Sequence, residues 1–167
     1  MFQAFEILTA LLVALAMAFP LAHAAEFPGK RRLAKEAYLT VQPIYYPGFT
    51  LGGLIGEFGG IVTTFILTFL TPMNDPAFWW TAGSCLSLLL MHGVYWVMTH
   101  PVNNFWLKDV KLNSASSGFF GAFAPKTADG GGDSWTRLRD QWEYSHAVRA
   151  VFGIVSLVLI LIAITSQ

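Results

Sequence analysis

The chain has 167 residues, of which 54% are apolar and only 12% are charged, and its ten basic side chains balance its ten acidic ones. Soluble domains usually carry about a quarter charged residues, so this composition argues against a soluble protein, and a net charge of zero gives no basic field of the kind that binds nucleic acid. The single cysteine, Cys85, excludes a disulfide framework within one chain.

Four apolar stretches are each long enough to cross a bilayer as a helix, which takes about 20 residues. They cover about residues 2–25, 48–71, 78–99 and 147–166. None shows the alternation of a membrane β-strand, and helices satisfy their own backbone hydrogen bonds where water is absent. The sequence therefore predicts an all-α protein, a four-transmembrane-helix bundle that forms a single membrane domain over residues 1–167.

The first stretch contains Ala22-His23-Ala24, which resembles a signal-peptidase site. The residues before this site include Glu6 but no lysine or arginine, and the apolar run is longer than a typical signal core. We therefore expect the stretch to be retained as the first membrane helix.

The basic residues are distributed unevenly along the chain. They follow the first helix, lie between the third and fourth apolar stretches, or stand at the start of the fourth: Lys30, Arg31, Arg32, Lys35, Lys108, Lys111, Lys126, Arg137, Arg139 and Arg149. Because basic loops stay in the cytoplasm, we expect cytoplasmic loops over residues 26–47 and 100–134 and both termini outside. The chain is thus predicted to be a multi-pass protein of a bacterial-type inner membrane, whose first four cations suit anionic lipid headgroups.

The fourth helix is predicted to begin well before its apolar part. Asp133 or Ser134 can cap a helix that starts near Trp135, and no proline follows. A helix over residues 135–166 would be about 48 Å long, so about ten residues would extend into the cytoplasm.

Gly52, Gly56 and Gly60 are spaced by four residues along the second helix. Small residues at this spacing let a neighbouring helix approach closely. The neighbour is either another helix of this chain or a partner membrane subunit, and the sequence does not decide between them.

Glu57 lies on the same glycine-rich helix, about 13 Å from its cytoplasmic end, and His92 lies about 10 Å deep on the third helix. An ionisable group at such a depth normally faces the bundle interior and has a partner. We therefore predict a hydrogen bond between Glu57 and His92. The pair has either a functional or a purely structural role.

Aromatic and polar side chains alternate near the predicted cytoplasmic end of the third and fourth helices, beside Pro101, which should end or bend the third helix. An aromatic belt explains tryptophans at an interface, but not their alternation with polar groups. Aromatic walls with a few polar groups favour a site for a flat, quinone-like molecule. The predicted pocket residues are Trp96, His100, Asn104 and Trp106.

Metal sites have weaker support. Glu143 and His146 have the Glu-x-x-His spacing of di-iron bundles, which need two such motifs, and the chain has one. A b-type haem held by two of His92, His100 and His146 is chemically allowed, but no pair shows matched depths. We predict no metal and no other cofactor.

Two short elements resemble the anthrone-oxygenase-like family of small membrane proteins, whose members have four membrane helices. One is a Pro-x-Asn element after the third helix, and the other is a Trp-x3-His-x2-Arg element that leads into the fourth. In this chain they are Thr99-His100-Pro101-Val102-Asn103-Asn104-Phe105-Trp106 and Trp142-Glu143-Tyr144-Ser145-His146-Ala147-Val148-Arg149-Ala150.

The resemblance implies an oxygenase activity, because some fungal relatives are linked to the oxidation of anthrones to anthraquinones without a metal or flavin. It also implies the site residues Asn103, Trp142, His146 and Arg149. His146 or His92 would take a proton from the substrate, and Arg149 and Asn103 would hold the resulting anion.

The alternative is a non-catalytic accessory subunit of a larger membrane complex. An enzyme should keep a cavity around Trp96, Trp142 and His146, whereas a subunit should fill that space.

Overall fold

The computed structural model describes residues 2–106 and 132–166, with the backbone alone for residues 104–106 and 132–134. Within these residues the chain is helical, without strands, and four helices are long and apolar enough to cross a membrane, as predicted. The elements are α1 (Phe2–Lys30), α2 (Lys35–Val41), a 3₁₀ turn (Gln42–Tyr45), α3 (Gly48–Leu70), α4 (Pro76–Val94), a π turn (Tyr95–Thr99), α5 (His100–Trp106) and α6 (Gly132–Thr165).

The first helix is longer than its apolar run. It continues past the predicted end at residue 25 as far as Lys30, so the loop begins five residues later than the predicted residue 26. A lysine in the last turn interacts favourably with the helix dipole, and Lys30 forms an ion pair with Glu26 one turn earlier, at 2.9 Å. Hydropathy marks where lipid contact ends, whereas hydrogen bonds and charge decide where the helix ends.

Pro101 does not end the third span, contrary to one of the two outcomes expected. The helix passes through a π turn and continues as α5 to Trp106. In this turn the His100 N–H bonds to the Tyr95 carbonyl, five residues back. This change of register comes just before the proline, which lacks an N–H to donate. The rest of the predicted loop 100–134, up to residue 131, lies outside the described residues.

The four spans pack as a closed bundle, in which α1 contacts α3 and α6, and α4 contacts α3 and α6. Its apolar core includes Val13, Leu67, Leu88 and Ile160. Polar contacts also join the helices: the hydroxyls of Ser84 and Ser156 each donate to the other residue's carbonyl at 3.0 Å. Such contacts suit a bilayer, where apolar surface alone gives helices little reason to associate.

The glycine surface of α3 packs against α1 of the same chain. A Cβ atom on Gly56 would lie 2.6 Å from the Ala16 nitrogen, and one on Gly52 would overlap the Phe19 ring. A Cβ atom on Gly60 would lie 3.2 Å from Leu88 of α4 and 3.6 Å from the Val13 nitrogen of α1. The predicted close packing is confirmed, and α1 of the same chain is the neighbour at Gly52 and Gly56. The binding of a partner subunit through this helix stays a prediction.

A second cluster lies at the end of the bundle where α1 and α5 end and α3 and α6 begin. We call this end of the bundle the long-loop end. Here α2, the 3₁₀ turn and α5 pack on the first turns of α6, and Tyr38, Tyr45, Val102 and Trp142 are buried together. This layer covers the bundle above the candidate site. The fourth helix extends from Gly132 to Thr165, as the sequence predicted from about residue 135.

Candidate functional site

A cavity of about 260 Å³ lies beneath the long-loop end, between all four spans. Six of the residues predicted from the sequence line it together: Glu57, His92, Asn103, Trp142, His146 and Arg149. The rest of its described wall is mainly apolar or aromatic, with Phe19, Tyr45, Phe49, Leu54, Phe58 and Tyr95 among its members.

The predicted pocket residues Trp96 and His100 are not among the described lining residues. Their rings pack against each other, with centroids 4.9 Å apart. The residues of this span that do line the cavity follow one another at spacings of three or four residues, as on one face of a helix: His92, Tyr95, Thr99 and Asn103. The side chains of Asn104 and Trp106 lie outside the described residues.

Glu57 is the centre of a buried charge network. Its Oε1 atom lies 2.7 Å from His92 Nδ1, which confirms the predicted hydrogen bond, and its Oε2 atom accepts a short hydrogen bond from Arg149 Nη2. Glu57 and Arg149 are only 6% and 7% exposed. Arg149 therefore turns inward, where each charge compensates the other.

The hydrogen-bond partners of His92 determine which of its two nitrogens donates and which accepts. Trp96 donates its indole N–H to His92 Nε2 at 2.8 Å. An indole nitrogen can only donate, so Nε2 carries a lone pair and Nδ1 carries the hydrogen that is donated to Glu57. Both nitrogens of His92 are thus engaged, and neither is available to a substrate.

Arg149 has spare donor capacity beside the cavity. Its guanidinium lies over the Tyr95 ring, 5.1 Å from the centroid. Its Nε atom is buried and has no hydrogen-bond partner within the described part of the chain. A buried donor without a partner is costly, so this N–H is suited to an acceptor oxygen on a bound molecule.

His146 offers a hydrogen-bond acceptor, whereas Arg149 offers a donor. Its Nδ1 atom lies 2.8 Å from the Trp142 carbonyl, to which it can only donate, so its Nε2 atom carries a lone pair. The Trp142 ring packs against the imidazole at a centroid distance of 4.2 Å. The Trp142 indole also donates to Asn103 Oδ1 at 2.7 Å, which fixes the orientation of that amide at the cavity wall.

Sequence analysis missed the contribution of α1. His23 lines the cavity, and its ring centroid is 4.3 Å from that of His146. Lys30, expected at lipid headgroups, is instead 5% exposed, and its Nζ atom lies 3.1 Å from His23 Nδ1. The spacing of His23, Glu26 and Lys30 by three and four residues is the signal that places them on one helical face.

Two tyrosines of the long-loop end form hydrogen bonds to glutamates of α6 and α1. Tyr38 donates to Glu143 Oε1 at 2.9 Å, and Tyr45 donates to Glu26 Oε2 at 2.7 Å. Burial raises the pKa of the Tyr38 phenol above its usual value, and the Glu143 carboxyl raises it further. Burial and Glu26 likewise raise the pKa of Tyr45. Both phenols therefore remain donors across the physiological range.

Among the described residues, no group of three histidine, cysteine or acidic side chains is placed to hold a metal ion. For the haem alternative, His92 is a poor ligand, because both of its nitrogens are already hydrogen-bonded.

Comparison with known proteins indicates a family for the chain. The model of a family described as anthrone oxygenase matches residues 49–159, from the first turn of α3 to near the end of α6. No curated protein and no solved structure matches the chain.

Proposed function

The chain belongs to the anthrone oxygenase family, and on that premise we propose that it oxidises a flat, anthrone-like molecule to the corresponding quinone with molecular oxygen. The observation that carries this proposal is that one cavity is lined both by a proton acceptor and by a cationic donor whose N–H has no partner among the described residues. These are His146 Nε2 and Arg149 Nε.

The reaction needs a base and a site for the anion. An anthrone has an acidic methylene group opposite its carbonyl, and removal of one proton places negative charge on the carbonyl oxygen. His146 takes that proton, and Arg149 holds the oxygen. The anion is electron-rich enough to react with oxygen directly, so we propose that no metal or flavin is required. His92 is the weaker candidate for the base, because both of its nitrogens are engaged.

The size and wall of the cavity support this substrate class. Its volume of about 260 Å³ is close to the lower end of the range for ligand pockets, about 300–1,000 Å³, which suits a few fused rings. Leu51, Leu54 and Phe58 line the cavity and are also exposed on the outer surface of α3. We propose that a hydrophobic substrate enters from the bilayer between the helices.

The same cavity bears on the accessory-subunit alternative. A purely structural subunit is expected to fill the space beside Trp142 and His146, and the residues that the structure describes leave a cavity there. The exposed aliphatic surface of the spans is what lipid would cover, so it does not itself favour a protein partner. We further propose that the long-loop end faces the cytoplasm of a bacterial-type cell, because the basic loops lie there.

Activity should be tested on the full chain in mild detergent, with anthrone as substrate. Oxygen uptake and anthraquinone absorbance should exceed the rate in empty micelles and should resist a metal chelator. We expect His146→Phe and Arg149→Met each to lower kcat/KM by about a hundredfold or more. Tyr144→Phe, an exposed change on the same helix, is the matched control. Equal rates for the wild type and empty micelles would refute the proposal.

A further inference from the structure

Two histidines from different helices meet at the cavity. His23 of α1 and His146 of α6 both line it, and they are 4% and 5% exposed. Their ring centroids are 4.3 Å apart, in an edge-to-face arrangement. His23 lies outside the region that the family model matches, residues 49–159. Its position therefore adds a group that the family comparison does not include.

The two rings are held in opposite tautomers. His146 Nδ1 faces the Trp142 carbonyl, which only accepts, so the ring hydrogen is on Nδ1 and Nε2 is bare. His23 Nδ1 faces the Lys30 ammonium, which only donates, so Nδ1 is bare and the ring hydrogen is on Nε2. One histidine thus offers an acceptor and its neighbour offers a donor.

The cation that sets the tautomer of His23 is itself firmly held. Lys30 Nζ lies 2.9 Å from Glu26 Oε2 and 3.6 Å from Glu143 Oε1. It also lies over the rings of Tyr45 and Trp142, at 4.7 and 5.1 Å from their centroids. The Glu26 side chain is 44% exposed, so the group reaches the surface at the long-loop end.

We propose that His23 is the proton donor of this site, that His146 is the proton acceptor, and that Lys30 is the positioning residue that keeps His23 in its donor tautomer. The inference rests on the proposed oxidation and assigns its acid. Neighbouring groups whose surroundings differ in this way commonly divide the acid and base roles.

Every proton is accounted for over one turnover. His146 Nε2 takes the first methylene proton, and the carbanion forms a C–O bond with oxygen, which gives a peroxide anion. The peroxide anion receives the His23 Nε2 proton while Lys30 passes a proton to His23 Nδ1. The second methylene proton then goes to His23 Nε2 as the O–O bond breaks, and the Nδ1 proton returns to Lys30. The hydroxide released takes the proton from His146. A methylene and oxygen have become a ketone and water, and every side chain is restored.

The tautomers can be tested without turnover, by ¹⁵N NMR of the full chain with labelled histidine and bound anthraquinone. We expect a protonated Nε2 on His23 and a protonated Nδ1 on His146, with signals assigned through His23→Phe and His146→Phe. Lys30→Met should mix the tautomers of His23 alone, and Lys30→Arg should restore the donor form. Arg32→Met, which removes an exposed cation, is the matched control. The same tautomer on both rings would overturn the proposal.

A kinetic test separates the two roles. Without oxygen, exchange of anthrone methylene protons with deuterated solvent reports the base alone. His146→Phe should abolish this exchange. His23→Phe should retain it within about twofold, yet should slow anthraquinone formation about a hundredfold and accumulate the hydroperoxide. His23→Gln, which keeps an N–H donor, should recover part of the rate.

The outcomes distinguish this inference from the function on which it rests. If the wild-type chain neither exchanges nor oxidises anthrone, the proposed function is wrong and His23 has no acid role in it. If the wild type does both, and His23→Phe forms anthraquinone at the wild-type rate, the function stands and the role of His23 is overturned.

Discussion

Tyr38 closes the long-loop end over Glu143, a carboxyl group with no exposed surface. Its hydroxyl donates to Glu143 Oε1 at 2.9 Å, and burial with this partner raises the pKa of Tyr38. A phenol whose pKa is raised on folding stabilises the fold while it is protonated. Its contribution is complete below the ordinary pKa of about 10 and is lost as the pH rises toward the higher pKa of the folded state.

We therefore expect Tyr38→Phe to lower the stability at about pH 8 by about 1–2 kcal/mol, through the lost hydrogen bond, and to flatten the further loss above about pH 10. Thermal unfolding of the full chain in detergent at several pH values measures both effects. Tyr144→Phe, whose phenol is half exposed, should leave the alkaline loss unchanged. An equally steep alkaline loss in Tyr38→Phe would contradict the assignment.

The sequence predicted some contacts between individual residues and missed others. Glu57 and His92 could be paired because helical rise alone gives each residue a depth. The pairing of Arg149 with Glu57 was not predicted, because it depends on the rotation of α6 in the bundle. His23 was interpreted only as part of a signal-peptidase pattern. Its position against His146 depends on how α1 packs, which no local pattern shows.

The helices α1 and α3 approach each other closely at Gly56. Gly56 lies against the backbone of Leu15 and Ala16, so a Cβ at this position would meet main-chain atoms rather than a movable side chain. This contact also places α1, and with it His23, at the wall of the cavity. The helical packing and the site are therefore coupled through one glycine.

We expect Gly56→Ala to destabilise the bundle by about 1–3 kcal/mol, the usual cost of overpacking. Gly53→Ala is the matched control on the same helix, because a Cβ there meets nothing within 4 Å. It should be neutral or slightly stabilising, since alanine favours a helix by about 0.5–1 kcal/mol over glycine. Thermal unfolding in detergent compares them. Equal melting temperatures would show that α1 does not pack closely at Gly56.

The ends of the helices were the least predictable part of these elements. The apolar stretches correctly indicated four spans, because the bilayer sets their length. The end of α1 depends on an ion pair between Glu26 and Lys30, and the end of the third span depends on the π turn before Pro101. Neither the ion pair nor the π turn can be predicted from hydropathy.

For the whole molecule, the cavity draws its wall from all four spans and from the 3₁₀ turn. Such a cavity forms only when the helices pack together. The sequence could therefore suggest that aromatic and polar residues line it, but not which residues of each helix do so. It also means that a molecule bound in the cavity contacts every span at once. Binding to the folded state alone stabilises that state by mass action, by about 2.7 kcal/mol at a hundred times Kd.

Anthraquinone should therefore raise the melting temperature of the full chain, whereas anthracene should raise it less. The two molecules share three flat rings, but only the quinone has oxygens that can accept the hydrogen bond of Arg149 Nε, the buried donor without a partner. A bond to a charged donor is worth about 1.5–3 kcal/mol, so anthraquinone should bind at least about tenfold more tightly. Arg149→Met should remove this difference while leaving the apolar walls in place. Equal shifts with both molecules in the wild-type chain would mean that the cavity recognises shape alone and that Arg149 serves only to neutralise Glu57.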